Sequence, residues 1–292
     1  MTGAQPADQN PSGLTALSRR SNLALRVVSS LVLAPFAIAA AYFGGNVFIA
    51  FWALAAIAVL WEWDTLVCAD DRNAVLATGV VTLLSSALLL SRDRYGVAVA
   101  IIVLGCFGVA GLASRLHRVW CAGGLIYAAA ILIAPVLLRC VTAPGSNVGF
   151  AAILFIFVIV WLTDITAYFV GRAAGGPKLM PRVSPNKTWS GAIGGTVAGV
   201  VGGVILARQF GSDGIVSIAV VALVLSIVSQ AGDLAESAIK RRFNAKDASQ
   251  LIPGHGGLMD RLDGFVAAVV AGALIGLVHS GFDDPARGLM IW

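Results

Sequence analysis

Charged residues are scarce in this chain of 292 residues: Asp, Glu, Lys and Arg together make up only 12% of it. A soluble domain carries about 25% of such residues. Hydrophobic residues reach 58%, and the mean hydropathy is +0.88. Several apolar stretches approach or exceed the roughly 18 residues that suggest a membrane-spanning helix. The composition therefore argues against a soluble domain and predicts a polytopic α-helical membrane protein.

Other familiar patterns are also missing. The alternation of apolar and polar residues that is typical of membrane β-barrels is absent, so we discount that class. The four cysteines lack metal-ligand spacing, and we interpret them as small buried apolar residues: Cys68, Cys106, Cys121 and Cys140. The segment GAIGGTVAG lacks the Lys and Ser/Thr of a P-loop. The overlapping GGTVAGVVGG is typical of small residues that pack one membrane helix against its neighbours.

Nine apolar segments are separated by turn sequences such as DDRN, SRDRYG and APGSN. We therefore predict an all-α fold, a polytopic transmembrane helical bundle of about nine helices. The segments lie at approximately residues 25–43, 46–62, 74–91, 96–113, 121–139, 148–171, 190–208, 214–239 and 262–280.

The distribution of Lys and Arg predicts the orientation of the bundle. With nine spans and a cytoplasmic N-terminus, 15 of the 20 Lys and Arg residues fall on the cytoplasmic side. Such an excess is typical of cytoplasmic loops. We therefore predict a multi-pass protein of the cell membrane, the inner or plasma membrane. Its two richest polar loops, 172–189 and 240–262, are then cytoplasmic.

Spans one to five carry few ionisable residues, whereas spans six, eight and nine, with the loops that join them, carry most of them. This difference predicts that the two parts of the chain have different roles. Residues 1–22 are polar, contain Pro and Gly, and are predicted to form a disordered cytoplasmic tail. We predict a transmembrane scaffold of spans one to five at residues 23–145. We predict a catalytic transmembrane region of spans six to nine, with both polar loops, at residues 146–292.

Span eight ends in SQAGDLAESAIKRR, where Asp233, Glu236, Ser237 and Lys240 share one helix face. Carboxylates inside a membrane helix are costly unless they face a polar cavity or a partner. A structural ion pair with Lys240, four residues on, is an alternative explanation for Glu236. Asp233 has no basic residue one turn away, so this explanation does not extend to it.

The following loop ends in GHGGLMDRLDG, which contains two more acids at the expected start of span nine. Asp260 and Asp263 either stabilise the start of this helix or converge with Asp233 on a ligand. Three carboxylates beside a basic loop suit Mg²⁺, which bridges to substrate phosphates. His255 either stabilises the loop or contacts a phosphate.

Span six and the loop after it carry a further set of polar residues. In WLTDITAYFVGR, Asp164 is either functional or hydrogen-bonded to a neighbouring helix. The four cations of the loop that follows suit a polyphosphate or an anionic lipid headgroup, although membrane topology alone also explains basic residues. In contrast, we interpret Glu62 and Asp64, at the end of span two, as interfacial residues.

The 27 residues SAIKRRFNAKDASQLIPGHGGLMDRLD, from Ser237 to Asp263, resemble the signature of the phosphatidate cytidylyltransferases, also called CDP-diacylglycerol synthases. The segments GDLAES and SPNKTWSGAIGG are also similar to this family, and the resemblance covers roughly residues 160–265. The chain departs from the pattern at Ile165, Asn186 and Ser190. The family often has Thr or Ser, a second Lys and a Glu at these positions.

The resemblance implies an enzyme, a nucleotidyltransferase of phospholipid biosynthesis that works at the cytoplasmic face of the membrane. It would convert CTP and phosphatidic acid to CDP-diacylglycerol and pyrophosphate. The implied cofactors are Mg²⁺ and a second, monovalent cation such as K⁺. The implied partners are the two substrates and membrane lipid, with no nucleic acid, and a homodimer is left open.

The resemblance also implies roles for individual residues. The metal ligands are expected to be Asp233, Asp260 and Asp263. The catalytic group in and before the polar loop is expected to comprise Ser237, Lys240, Arg241, Lys246, Asp247 and His255. Substrate binding is assigned to Asp164, Tyr168, Arg172, Lys178, Ser184, Lys187 and Arg261.

Three other classes compete with this prediction. A purely structural membrane scaffold would leave the dense polar loop unexplained. A transporter would also have buried acids and many spans, but its polar residues would be expected near the membrane midplane rather than at one edge. A CDP-alcohol phosphotransferase would carry a repeated acidic motif that the sequence does not contain.

Overall fold

The computed structural model describes residues 33–67, 72–141, 146–251 and 256–292. The predicted tail 1–22, the beginning of the first predicted span, and His255 lie outside these residues.

Helices account for nearly all of the described chain. The elements are α1 (Leu33–Phe43), α2 (Gly45–Val67), α3 (Arg72–Leu90), α4 (Tyr95–Leu112), α5 (Arg118–Cys140), α6 (Val148–Ala174), β1 (Lys178–Met180), β2 (Ser184–Thr188), α7 (Trp189–Gln209), α8 (Ile215–Arg242), α9 (Met259–Ser280) and α10 (Pro285–Met290).

The protein is a multi-pass membrane protein. Eight of the described helices, α2 to α9, are long and apolar enough to cross a membrane, and α1 is a shorter apolar helix. The predicted all-α transmembrane bundle is therefore confirmed. The cytoplasmic position of the N-terminus stays a prediction.

The largest difference from the sequence prediction is at the end of α2, which continues through WEWD to Val67. Glu62 and Asp64 are both fully buried within the protein, which the hydropathy pattern did not indicate, and their position relative to the membrane surface stays a prediction. Tertiary contacts cover these carboxylates, and a one-dimensional hydropathy pattern does not contain that information.

A row of small residues brings α7 unusually close to α6. Gly191, Gly195, Gly199 and Gly203 recur every four residues, and all are buried. A Cβ atom added at Gly191 would lie 2.6 Å from the carbonyl oxygen of Ala167 in α6. The interpretation of this glycine-rich segment as a helix-packing surface is confirmed.

The loop between α6 and α7 folds into a short antiparallel hairpin of β1 and β2, which the sequence analysis did not predict. Lys178 pairs with Thr188, and Met180 pairs with Ser184. The Thr188 hydroxyl then caps α7 by accepting a hydrogen bond from the backbone N–H of Gly191 at 3.2 Å. The hairpin is therefore tied to the same end of α7 that packs against α6.

The cysteines differ in their chemistry. Cys121 is buried as predicted, but it is disulfide-bonded, which the sequence analysis did not anticipate. Cys106 and Cys140 are free thiols and are only partly buried, so the predicted burial does not hold in full for them. Cys68 lies outside the described residues.

Candidate functional site

A cavity of about 1310 Å³ lies between the hairpin and the helices α1, α2, α6, α7, α8 and α9. One part of its wall is apolar and comes from both halves of the chain. The larger apolar side chains in this wall include Leu33, Phe51, Trp52, Leu54, Phe157, Val160, Trp161, Ile165 and Phe265. Helices of the predicted scaffold therefore take part in forming the cavity.

The other part of the wall is polar and carries both signs of charge. Nine of the residues predicted from the sequence line it: Asp164, Tyr168, Arg172, Lys178, Lys187, Asp233, Asp260, Arg261 and Asp263. The cavity thus places four cations and four carboxylates beside an apolar wall.

Asp233 on α8 forms an ion pair with Lys187 on the hairpin. Both side chains keep more than a quarter of their surface exposed, so the pair faces the open cavity. Asp164 and Asp263 lie within electrostatic range of Asp233. The cation that pairs with Asp233 thus comes from a distant element rather than from its own helix.

Asp260 lies in a different environment, because it is almost fully buried. Its carboxylate pairs with Lys240, which also pairs with Glu236 at 2.7 Å. Its Oδ2 atom accepts hydrogen bonds from the backbone N–H groups of Gly257, at 2.8 Å, and Ala248, at 3.0 Å. Asp260 therefore fixes the segment between α8 and α9 while it borders the cavity.

The residues predicted as a catalytic group do not border the cavity as far as the structure describes them. Ser237, Lys240, Arg241, Lys246 and Asp247 are absent from the described lining, as is Ser184 of the substrate-binding group. Lys240 is buried between two carboxylates, and the exposed Arg241 donates a hydrogen bond to the carbonyl oxygen of Ala245 at 2.9 Å.

The carboxylates could hold a divalent cation. No three His, Cys, Asp or Glu side chains in the described residues are close enough together to form a metal site as they stand. The donor chemistry nevertheless fits Mg²⁺, because Asp233, Asp260 and Asp263 bring carboxylate oxygens to one cavity. Lys187 and Lys240 neutralise two of these carboxylates and would have to share them with an ion.

Sequence reasoning missed two polar residues near the site. Gln230 lines the cavity and donates a hydrogen bond to Thr196 Oγ1 at 2.9 Å. Glu62 of α2 accepts hydrogen bonds from Ser249, Leu258 and Met259. The signal for Glu62 was present in the sequence, since a carboxylate in a membrane helix needs a partner.

Comparison with known proteins gives a consistent result. A family model described as "Cytidylyltransferase family" matches residues 24–278. The phosphatidate cytidylyltransferase of Brucella abortus biovar 1 (strain 9-941) is 43% identical over 266 residues, which cover 91% of this chain and 96% of the relative. That of Brucella suis biovar 1 (strain 1330) is 42% identical over 267 residues, covering 91% and 97%. The Haemophilus influenzae enzyme of the same name is 42% identical over 126 residues, covering 41% and 44%.

Proposed function

Because the chain belongs to the cytidylyltransferase family, we propose that it is a phosphatidate cytidylyltransferase, which makes CDP-diacylglycerol and pyrophosphate from CTP and phosphatidic acid. The observation that carries the proposal is the mixed wall of the cavity. An apolar wall suits acyl chains, and a polar wall with both signs of charge suits phosphates and their counterions. A nucleotide and a membrane lipid could therefore meet in this one space.

The proposed reaction joins two anions. A phosphate oxygen of phosphatidic acid attacks the α-phosphorus of CTP and forms a new P–O bond. The bond between the α- and β-phosphates breaks, and pyrophosphate leaves. Arg172, Lys178, Lys187 and Arg261 line the polar wall and would offset the repulsion between the phosphates. Tyr168, whose hydroxyl accepts a hydrogen bond from Arg172 at 3.1 Å, would orient that guanidinium.

In this proposal Asp233, Asp260 and Asp263 would hold Mg²⁺. A bound Mg²⁺ supplies positive charge to the phosphates and polarises their P–O bonds. Lys240 acts through Asp260, whose carboxylate it neutralises and holds. Ser237, Arg241, Lys246 and Asp247 are kept as proposed contributors from the loop. The polar wall is proposed to face the cytoplasm, because CTP is dissolved there and the loops at this end are rich in Lys and Arg.

The apolar wall yields a prediction about the lipid substrate. Leu54 of α2 lines the cavity and is 70% exposed. Leu54→Asn should raise the KM for phosphatidic acid about 3- to 10-fold, because an acyl chain loses an apolar contact. The KM for CTP should stay unchanged. Kinetics in mixed micelles with each substrate varied in turn would measure both values.

A matched control tests whether any exposed leucine has this effect. Leu104 on α4 is 66% exposed but does not belong to the described cavity lining. Leu104→Asn should leave both KM values unchanged. Equal effects of the two substitutions on the KM for phosphatidic acid would contradict the proposed lipid wall.

The test of the function is pyrophosphate release by the purified protein. Release should require CTP, phosphatidic acid and Mg²⁺ together, and CDP-diacylglycerol should form in equal amount. Folded protein that releases no pyrophosphate over a range of lipid and metal concentrations would contradict the proposal. Transport would then become the leading alternative.

A further inference from the structure

We propose that Glu62 is a positioning residue, which fixes Asp260 at the cavity. It does so by binding Ser249, in the segment between α8 and α9, and the backbone at the start of α9. Glu62 is fully buried and is not part of the described cavity lining, so it does not face the proposed substrates. Its role in turnover rests on the proposed function, but its role in holding the segment does not.

The start of α9 lacks a cap of its own, and Glu62 supplies one. Leu258, the N-cap residue, makes no side-chain capping hydrogen bond. The first N–H groups of a helix need acceptors from outside that helix. Glu62 accepts from the N–H of Leu258 at 2.8 Å and from that of Met259 at 2.6 Å. Its negative charge also suits the positive end of the helix dipole.

The same carboxylate also binds the segment at Ser249, which lies closer in sequence to the end of α8. The Ser249 hydroxyl donates a hydrogen bond to Glu62 Oε1 at 2.6 Å. A Cβ atom added at Gly257 would lie 2.8 Å from Glu62 Oε2, so a larger residue at position 257 would displace this carboxylate. Glu62 therefore links α2 to the segment at two separate places, Ser249 and Leu258.

Glu62 and Asp260 hold neighbouring parts of the same backbone. Asp260 accepts hydrogen bonds from the N–H groups of Ala248 and Gly257. The next residue in each case, Ser249 or Leu258, donates a hydrogen bond to Glu62. Releasing the segment from Glu62 would loosen the two N–H groups that hold Asp260. This arrangement makes Glu62 the connection through which α2 determines the position of a proposed metal ligand.

Glu62→Gln tests the inference with little change in side-chain size. Glutamine has one acceptor oxygen and an NH₂ group, which would face another donor in place of the second carboxylate oxygen. Hydrogen exchange of the Leu258 and Met259 amides, measured by mass spectrometry on the full-length protein in detergent, should become at least tenfold faster. Exchange in α6 and α7 should not change. The kcat for pyrophosphate release should fall about 10- to 100-fold, because small displacements of reacting groups cost that much. The KM for phosphatidic acid should stay unchanged.

Two further variants separate positioning from general destabilisation. Asp64→Asn removes an equally buried carboxylate from the same helix and should leave exchange at Leu258 and Met259 unchanged. Ser249→Ala removes one contact of Glu62 and should give a smaller increase in exchange, even if Glu62→Gln does not fold. The inference would be overturned if hydrogen exchange at Leu258 and Met259 stayed unchanged in both Glu62→Gln and Ser249→Ala. It would also be overturned if Asp64→Asn accelerated this exchange as much as Glu62→Gln does. If the wild-type protein released no pyrophosphate, the proposed function would fail, while the exchange data would still test the role of Glu62.

Discussion

Asp233→Asn is expected to lower pyrophosphate release at least a hundredfold while the protein stays folded. Asparagine keeps the shape of the side chain but removes the charge that pairs with Lys187 and would bind Mg²⁺. Removing one group that supports the developing charge of a transition state typically costs about two to three orders of magnitude in rate. Asp260→Asn should also abolish turnover, because it removes a second proposed ligand.

The measurement is the initial rate of pyrophosphate release at saturating substrates, with folding checked by size-exclusion chromatography and thermal unfolding. Asp213→Asn is the matched control, since Asp213 lies just before α8, is fully exposed and pairs with Arg208 at 3.7 Å. Its rate should equal that of the wild type. A normal rate for Asp233→Asn would refute its assignment as a metal ligand.

Lys240→Met is expected to destabilise the protein by about 3–5 kcal/mol, the usual effect of removing one partner from a buried ion pair. The Lys240 ammonium lies between Glu236 and Asp260, and these three side chains are less than 10% exposed. Methionine fills a similar volume but leaves two neighbouring buried carboxylates without their cation. Denaturant titration in detergent micelles would measure the change in the free energy of unfolding.

Arg241→Met provides the control, because Arg241 is the next residue on α8 but is exposed. Its effect should be below about 0.5 kcal/mol, which is typical of surface substitutions. Adding Glu236→Gln to Lys240→Met should restore part of the lost stability, since one of the two uncompensated charges is then gone. Equal stability of the Lys240 and Arg241 variants would contradict a buried three-residue ion cluster.

The course of the chain through the bundle was largely predictable from the sequence. Membrane helices need long apolar stretches, and those stretches correspond to α2 to α9 within a few residues. The exception at WEWD has a clear cause. Glu62 finds its partners 187 to 197 residues further along the chain, and no local pattern reports such a contact.

The candidate site was predictable in part. The family resemblance is confirmed by the comparisons, and the acids and cations assigned to substrate and metal mostly line one cavity. The side of α8 that meets the cavity was not predictable. Spacing places Asp233 and Lys240 on one helix face, yet Asp233 borders the cavity and Lys240 is buried. The ion pair of Lys240 with Glu236, considered as an alternative, is confirmed.

The capping of α9 by Glu62 has a consequence for biosynthesis. Ribosomes make α2 early, so Glu62 enters the membrane well before the helix whose first turn it completes. Until α9 arrives, this carboxylate lacks the backbone N–H groups of Leu258 and Met259. The site is therefore assembled only when α9 docks, and a nascent chain that stops before α9 lacks Asp260 and the part of the cavity wall that α9 supplies.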